Sequence, residues 1–343
     1  MEEALLSAAG GDGLRLPYVT VDFSGAGLQP LERITSLEAP HRVYDAILRD
    51  SLLDGEPLMQ TDQGRRLAAA KPADATALLE LSPTALLFGA WHSQGEGGGL
   101  GAKFPRALVS ELMAIDTPVD HRGTGDADPS TSGRRTGSRI DPLGVQRNVK
   151  IYRSADNDQD WTPRETEAAR TNKGPILFSR KRGDKAGKPS VINHGNVTPT
   201  VEPLGVTCDY IEHRAVVTLA GLRRLRFGSG DRSASGRALL AALGLLALAE
   251  QDANGYALRS RCDLVCEGNT PLELVRADGS TETVEHDRGQ ARSLYEEAYA
   301  QAESAGFRFQ SLTLKPQDKL IDIVRRSREL ALEGAGGEGD DGD

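Results

Sequence analysis

The chain has 343 residues, of which 38% are hydrophobic and 5% aromatic, and its formal net charge is −9. This size suits one large domain or one domain with a large insertion, and the 38 glycines predict long loops. The opening residues lack a basic segment followed by an apolar one, and the most apolar run, 238–249, is shorter than the roughly 20 residues of a membrane span. We therefore expect a soluble, cytoplasmic protein without a membrane partner.

The first part of the chain alternates predicted strands and helices. In chain order, the apolar spacing predicts a strand over 16–23, a helix over 40–48, a short helix over 75–81, a buried strand over 84–91 and a helix over 103–114. A glycine-rich turn, 95–101, joins the last two elements.

Two segments in the middle of the chain are polar. Residues 121–139 contain almost no apolar side chain, which predicts a mobile loop. Residues 148–199 are also polar, and we interpret them as an insertion, a hairpin arm that projects from the core. A dispensable surface insertion is the alternative.

Regular structure is predicted again after the insertion. The predicted elements are strands over 206–213 and 214–219, a helix over 237–251 that is apolar nearly all round, a strand over 256–265, and helices over 289–305 and 317–332 on either side of a strand over 307–314. Residues 333–343 are predicted to form a disordered acidic tail. Interleaved strands and helices favour an α+β domain of the ferredoxin-like or RRM-like kind.

The charge is unevenly distributed along the chain. Residues 161–230 contain 12 Lys and Arg against 6 Asp and Glu. A basic middle within an acidic chain is compatible with a polyanionic partner, because contact electrostatics are screened beyond about 8–10 Å.

The segment 88–111 combines an apolar run, a glycine loop and two cations, which is typical of a phosphate site. Glycines let backbone N–H groups approach an anion, and Lys103 and Arg106 supply positive charge. A mononucleotide P-loop is not satisfied, because Phe104 stands where Ser or Thr would bind Mg²⁺. The alternative is a tight structural turn before a solvated helix.

Three stretches together resemble a known family. Residues 86–93 with 99–111 resemble the signature of the RAMP-superfamily backbone proteins of type I-U (I-G) CRISPR systems, and 187–196 and 258–264 support the resemblance. It spans roughly residues 14–330. The resemblance implies a modified RRM-like palm, formed by 14–147 and 200–332, with the insertion 148–199 as a projecting thumb hairpin.

The resemblance also implies a function. The chain would be a non-catalytic subunit that polymerises along CRISPR guide RNA, forms the backbone of a type I Cascade surveillance complex and supports guide pairing with target DNA. Its partners would be guide RNA, target DNA, copies of itself in a helical filament, the large subunit and a guide-processing or end-capping subunit. A recruited helicase–nuclease would destroy the target, and no cofactor is expected.

Charge and resemblance together give a set of candidate RNA-binding residues. These are Arg42, Gly99, Gly101, Lys103, Arg106, Ser110, Arg180, Lys181, Arg182, His194, Asn196, Arg223 and Arg226. For His194 a role in a turn is an equal alternative, and for Arg223 and Arg226 a solvated loop is.

The sequence offers little for a catalytic site. Cys262 and Cys266 lack further ligands at metal-binding spacing, and Asp22 and Asp209, as possible RNA-cleaving acids, each stand alone. A metal-dependent nuclease and a mononucleotide-binding enzyme are therefore the rival hypotheses. We predict no metal site and no catalytic residue.

Overall fold

The structure is a computed structural model. It describes residues 1–11, 13–91, 103–116, 141–180, 186–195, 208–258, 262–268, 271–284 and 286–337. The predicted glycine-rich turn 95–101 and the predicted mobile loop 121–139 lie outside these residues.

Helices and strands alternate along the described chain. The α-helices are α1 (Glu2–Gly11), α2 (Ala46–Arg49), α3 (Asp62–Ala69), α4 (Thr76–Leu81), α5 (Thr84–Leu87), α6 (Leu219–Leu222), α7 (Gly230–Asn254), α8 (Arg288–Ser304) and α9 (Asp318–Gly337). The strands are β1 (Val19–Asp22), β2 (Arg33–Thr35), β3 (Ser51–Leu53), β4 (Glu56–Pro57), β5 (Ala90–Trp91), β6 (Lys103–Phe104), β7 (Leu108–Ile115), β8 (Tyr152–Arg153), β9 (Trp161–Thr162), β10 (Arg170–Thr171), β11 (Gly174–Pro175), β12 (Tyr210–Val217), β13 (Tyr256–Leu258), β14 (Cys262–Leu264), β15 (Leu272–Val275), β16 (Thr281–Val284) and β17 (Leu312–Pro316).

A mixed five-stranded sheet organises the fold, in the order β2-β1-β17-β3-β4. β1 runs parallel to β17, with Val19 opposite Leu312, and the other neighbours are antiparallel. Alternate side chains of β1 and β17, such as Val21 and Leu314, are buried in the hydrophobic core. The predicted α+β class is confirmed, and the mixed sheet is compatible with an RRM-like palm.

The long helix α7 lies in the core, packed against α8. Ser229 caps its start by accepting a hydrogen bond from the backbone N–H of Arg232, so the helix begins before the predicted residue 237. By length and composition α7 could cross a membrane, but most of its apolar stretch is buried inside the protein, as in a core helix.

Two predicted elements next to the glycine turn are wrong. In the apolar run 84–91, the first four residues form helix α5, which follows Pro83 and ends before Gly89 at a φ of 82°, and only Ala90 and Trp91 form a strand, β5. A short apolar run does not distinguish a buried strand from a buried helix.

The predicted helix 103–114 is instead the strands β6 and β7. Its apolar positions are four residues apart, a spacing that also places side chains on one face of a strand. Pro105 separates the two strands, and β7 pairs over eight residues with β12. In the described residues, the predicted strands 206–213 and 214–219 correspond to the single strand β12, which is followed by α6.

Other boundaries are also corrected. The predicted helix 40–48 is instead a 3₁₀ turn, Arg42–Tyr44, followed by α2. The helix is not continuous because Asp45 has an extended backbone and caps the start of α2. The predicted strand 256–265 is the hairpin β13–β14. Helix α9 continues to Gly337, within the predicted disordered tail, through the helix-favouring residues 331–333.

The insertion 148–199 does not project where the structure describes it. Ile151, Trp161 and Phe178 are buried in the main hydrophobic core. Lys319 on α9 forms an ion pair with Asp160 at 2.8 Å. The described part of the insertion therefore packs against the body of the protein, because short apolar stretches within its polar sequence reach the core.

Candidate nucleic-acid interface

A solvent-exposed cleft of about 610 Å³ lies where the chain enters and leaves the glycine turn. Its lining is Pro40, His41, Arg42, Phe88, Gly89, Ala90, Trp91, Lys103, Phe104, Pro105 and Arg106. The short antiparallel pair β5–β6 forms one wall, with Trp91 opposite Lys103. Because side chains alternate along a strand, Ala90 and Phe104 are buried while Trp91 and Lys103 face solvent.

Gly89 allows the two chain segments at the cleft to approach each other. A Cβ atom at this position would lie 3.0 Å from Cγ of Arg106 and 3.0 Å from the carbonyl oxygen of Phe104. The positive φ of Gly89 further favours glycine. The backbone N–H of Ala107 donates to Leu87 O at 2.8 Å, which holds Arg106 at the edge of the cleft.

Lys103 and Arg106 bring uncompensated positive charge to the cleft. Both side chains are exposed, and within the described parts of the chain neither is paired with a carboxylate. Lys103 Nζ lies 5.1 Å from the centroid of the Trp91 ring. The structure places both predicted cations at this cleft, with Lys103 on β6 and Arg106 in the connection between β6 and β7 rather than on a helix.

Arg42 also lines the cleft, but its guanidinium group is occupied. Nε and Nη2 donate to the two carboxylate oxygens of Glu2, each at 2.7 Å, and Nη1 donates to the Gly89 carbonyl oxygen at 2.9 Å. Burial raises the pKa of Glu2, and the charge of Arg42 opposes that rise. Arg42 thus ties helix α1 to Gly89, and its charge is balanced within the protein.

A second basic surface lies beside the start of α7. A cavity of about 480 Å³ is lined by Arg223, Arg226, Gly228, Gly230, Ser233 and Arg237. Arg226 and Arg237 donate to backbone carbonyl oxygens, including that of Leu225. Carbonyl oxygens do not cancel a full charge, so this surface remains positive. Arg237 was not among the predicted RNA-binding residues. It lies on α7 and lines the same cavity as Arg223 and Arg226, a proximity that follows from the start of α7.

His194 is not available to a ligand. Its ring is fully buried, with Nε2 3.3 Å from Asp50 Oδ2 and its plane edge-on to Trp161. The preceding Asn193 has a φ of 64°, and Gly195 N–H donates to Asp141 at 2.6 Å. Of the two alternatives for His194, the buried geometry supports a role in the turn rather than the predicted contact with RNA.

Asp50 anchors this turn to the core. Burial alone would raise the pKa of Asp50, but the adjacent Arg49 guanidinium and the hydrogen bond with His194 outweigh it and hold the pKa well below 3.8. Arg49 also donates to the Ile192 carbonyl oxygen at 3.2 Å. A buried ion-pair network therefore fastens the end of the insertion.

The two other candidates that the structure describes, Ser110 and Arg180, do not line these surfaces. Ser110 is exposed on β7, opposite Ala215 of β12, and Arg180 is exposed at the end of a described stretch. The candidates Gly99, Gly101, Lys181, Arg182 and Asn196 lie outside the described residues. In the part of the chain that the structure describes, no group of three or more His, Cys, Asp and Glu side chains could hold a metal ion.

The family comparison agrees with the position of the cleft. Residues 1–119 match the family described as CRISPR-associated protein GSU0053 (Cas_GSU0053), and this part contains every residue that lines the cleft. A comparison with curated proteins finds no match. The match covers 119 of the 343 residues and supports an association of this chain with CRISPR defence.

Proposed function

We propose that this protein is a non-catalytic subunit that polymerises along CRISPR guide RNA, as a RAMP-superfamily backbone subunit of a type I-U (I-G) Cascade complex. The observation that carries the proposal is the exposed cleft in which Lys103 and Arg106 have no carboxylate partner among the described residues. The family match supplies the CRISPR context.

Phosphate groups are the ligands that suit such a cleft. Two adjacent cations on a rigid strand connection attract consecutive phosphates of a strand without reading its sequence. A guide-binding subunit needs this property, because guide sequences differ. The second basic surface, at Arg223 and Arg226, would extend the contact along the strand.

The proposed complex contains several partners. Copies of the chain would contact each other head to tail, because only non-identical contact faces give an open helical filament. The large subunit, a guide-processing or end-capping subunit and target DNA would join the guide-bound filament. A recruited helicase–nuclease would cleave the target, and the complex would act in the cytoplasm without a membrane.

The test replaces both cleft cations, as Lys103→Ala with Arg106→Ala. The slope of log affinity against log salt is negative, and each lost phosphate contact should reduce its magnitude by about 0.7 for single-stranded RNA. A lower slope below always means a slope of smaller magnitude. The double variant should therefore bind guide RNA more weakly, with a slope lower by about 1.4. Filter binding at several salt concentrations measures both quantities.

A charge-matched control removes two exposed cations that do not line the cleft, as Arg65→Ala with Lys71→Ala. This control should retain the wild-type slope. An unchanged slope in the cleft variant would reject the cleft as the phosphate site. Mg²⁺-dependent RNA cleavage by the pure protein, lost in a single Asp→Asn variant, would contradict the non-catalytic part of the proposal.

A further inference from the structure

We infer that Trp91 is a stacking platform for one nucleobase of a bound single strand. The inference rests on the proposed function and adds the chemical group that the cleft would recognise besides phosphate. It starts from a contrast between the two tryptophans of the chain: Trp161 is 4% exposed, whereas Trp91 is 47% exposed. A large aromatic side chain that contributes to the core is normally buried like Trp161.

The local structure holds the Trp91 ring in place. Trp91 ends the short strand β5, whose partner residue Lys103 extends its ammonium group over the ring. The preceding residue, Ala90, is buried opposite Phe104, so the backbone below the ring is fixed. A ring that is already oriented loses little conformational freedom when it binds a flat ligand.

The neighbouring charges specify what kind of flat ligand fits. Lys103 and Arg106 line the same cleft as Trp91, so a ligand that reaches the ring also meets two cations. Proteins that bind single strands without sequence preference combine these two features, a positive groove and an aromatic surface for a base. Every nucleobase has a flat π-face, so the contact would tolerate any guide sequence.

Intrinsic fluorescence tests the inference, because Trp161 is buried and serves as an internal reference. An RNA oligonucleotide of uridines should quench the emission of the wild-type protein as its base covers Trp91. An oligonucleotide of equal length with abasic sugars keeps the phosphates and should leave the emission unchanged. In Trp91→Phe, where Trp161 is the remaining tryptophan, the uridine strand should no longer quench.

Affinity gives a second readout. Trp91→Ala should weaken uridine-strand binding about 5- to 150-fold, the range measured for loss of one base–aromatic stack, and should leave abasic-strand binding and the salt slope unchanged. Trp91→Phe should retain most of the affinity. Tyr210→Ala removes another exposed aromatic, at the opposite end of the β7–β12 pair, and should have no effect.

Two results separate failure of the inference from failure of the proposed function. If the wild type binds uridine and abasic strands equally and without quenching, the cleft binds phosphate and the stacking inference is wrong. If neither strand binds, the proposed RNA-binding function itself fails. Equal losses in Trp91→Ala and Tyr210→Ala would also overturn the assignment.

Discussion

The cleft at Trp91 and the turn at His194 look alike in sequence and behave oppositely in the structure. Both combine glycine with cationic or titratable side chains. At the turn, Asp50 pairs with Arg49 and lies within hydrogen-bond distance of His194 inside the core. At the cleft, Glu2 balances Arg42 alone and leaves Lys103 and Arg106 exposed. What separates a structural site from a ligand site here is whether a carboxylate of the fold has already taken the position that a phosphate would occupy.

The largest effect is expected at the turn. Asp50→Asn keeps the shape of the side chain but removes the carboxylate charge that pairs with Arg49 and lies within hydrogen-bond distance of the buried His194 ring. Removing one partner from a buried pair costs about 3–5 kcal/mol, which should appear as a lower midpoint in urea unfolding. The slope of RNA affinity against salt should not change.

The matched control is Asp62→Asn, whose partner Arg65 is exposed, so its loss should cost less than about 1 kcal/mol. Acid should act on the wild type through the same group. Because the pKa of Asp50 is lowered in the folded state, its contribution is complete above pH 3.8 and is lost as the pH falls further. Asp50→Asn should therefore show a shallower loss of stability below about pH 4. A reduced salt slope with unchanged stability would return His194 to the RNA site.

A smaller effect is expected for Arg42→Ala in the cleft. The change leaves the Glu2 carboxylate largely buried without its cation, which should cost about 1–3 kcal/mol of stability. The salt slope should stay at the wild-type value, whereas Lys103→Ala should lower it by about 0.7 and hardly alter unfolding. A slope decrease in Arg42→Ala as large as that in Lys103→Ala would show that RNA displaces Glu2 from Arg42.

The sequence predicted the fold class and grouped Lys103 and Arg106, which the structure places at one cleft, but it did not predict the elements that carry them. The spacing of Phe104, Leu108 and Leu112 fits both a helix and a strand, and only the long-range pairing of β7 with β12 decides between them. The start of α8 was predicted more closely. Asp287 and Gln290 form a capping box, and α8 begins within one residue of the predicted start.

The charge partners could not be predicted, because they are distant in sequence. Glu2 and Arg42 are 40 residues apart, and Asp50 and His194 are 144 apart. Composition also hid the packing of the insertion, because this polar segment contains the short apolar run 176–178, in which Phe178 is buried in the core. Deleting residues 172–190 would be the direct test of whether the insertion is a thumb, but the deletion would also remove Phe178 from the core. A loss of assembly in that variant would therefore not identify a thumb.

The smallest effect is expected at the second basic surface, where Arg223→Ala with Arg226→Ala tests whether the bound strand continues beyond the cleft. Among the described residues that line that cavity, Arg226 and Arg237 donate to backbone carbonyl oxygens and none is aromatic, so the contact would involve phosphate without base stacking. The salt slope should fall by up to about 1.4 with a long guide, and quenching of Trp91 should persist. Arg232→Ala is the control, because this arginine pairs with Glu80 and lies over the Phe307 ring, so its loss should lower stability and leave the slope unchanged. If the slope of Arg223→Ala with Arg226→Ala equals that of the wild type with both short and long guides, the surface is a solvated loop and the RNA contact is confined to the cleft.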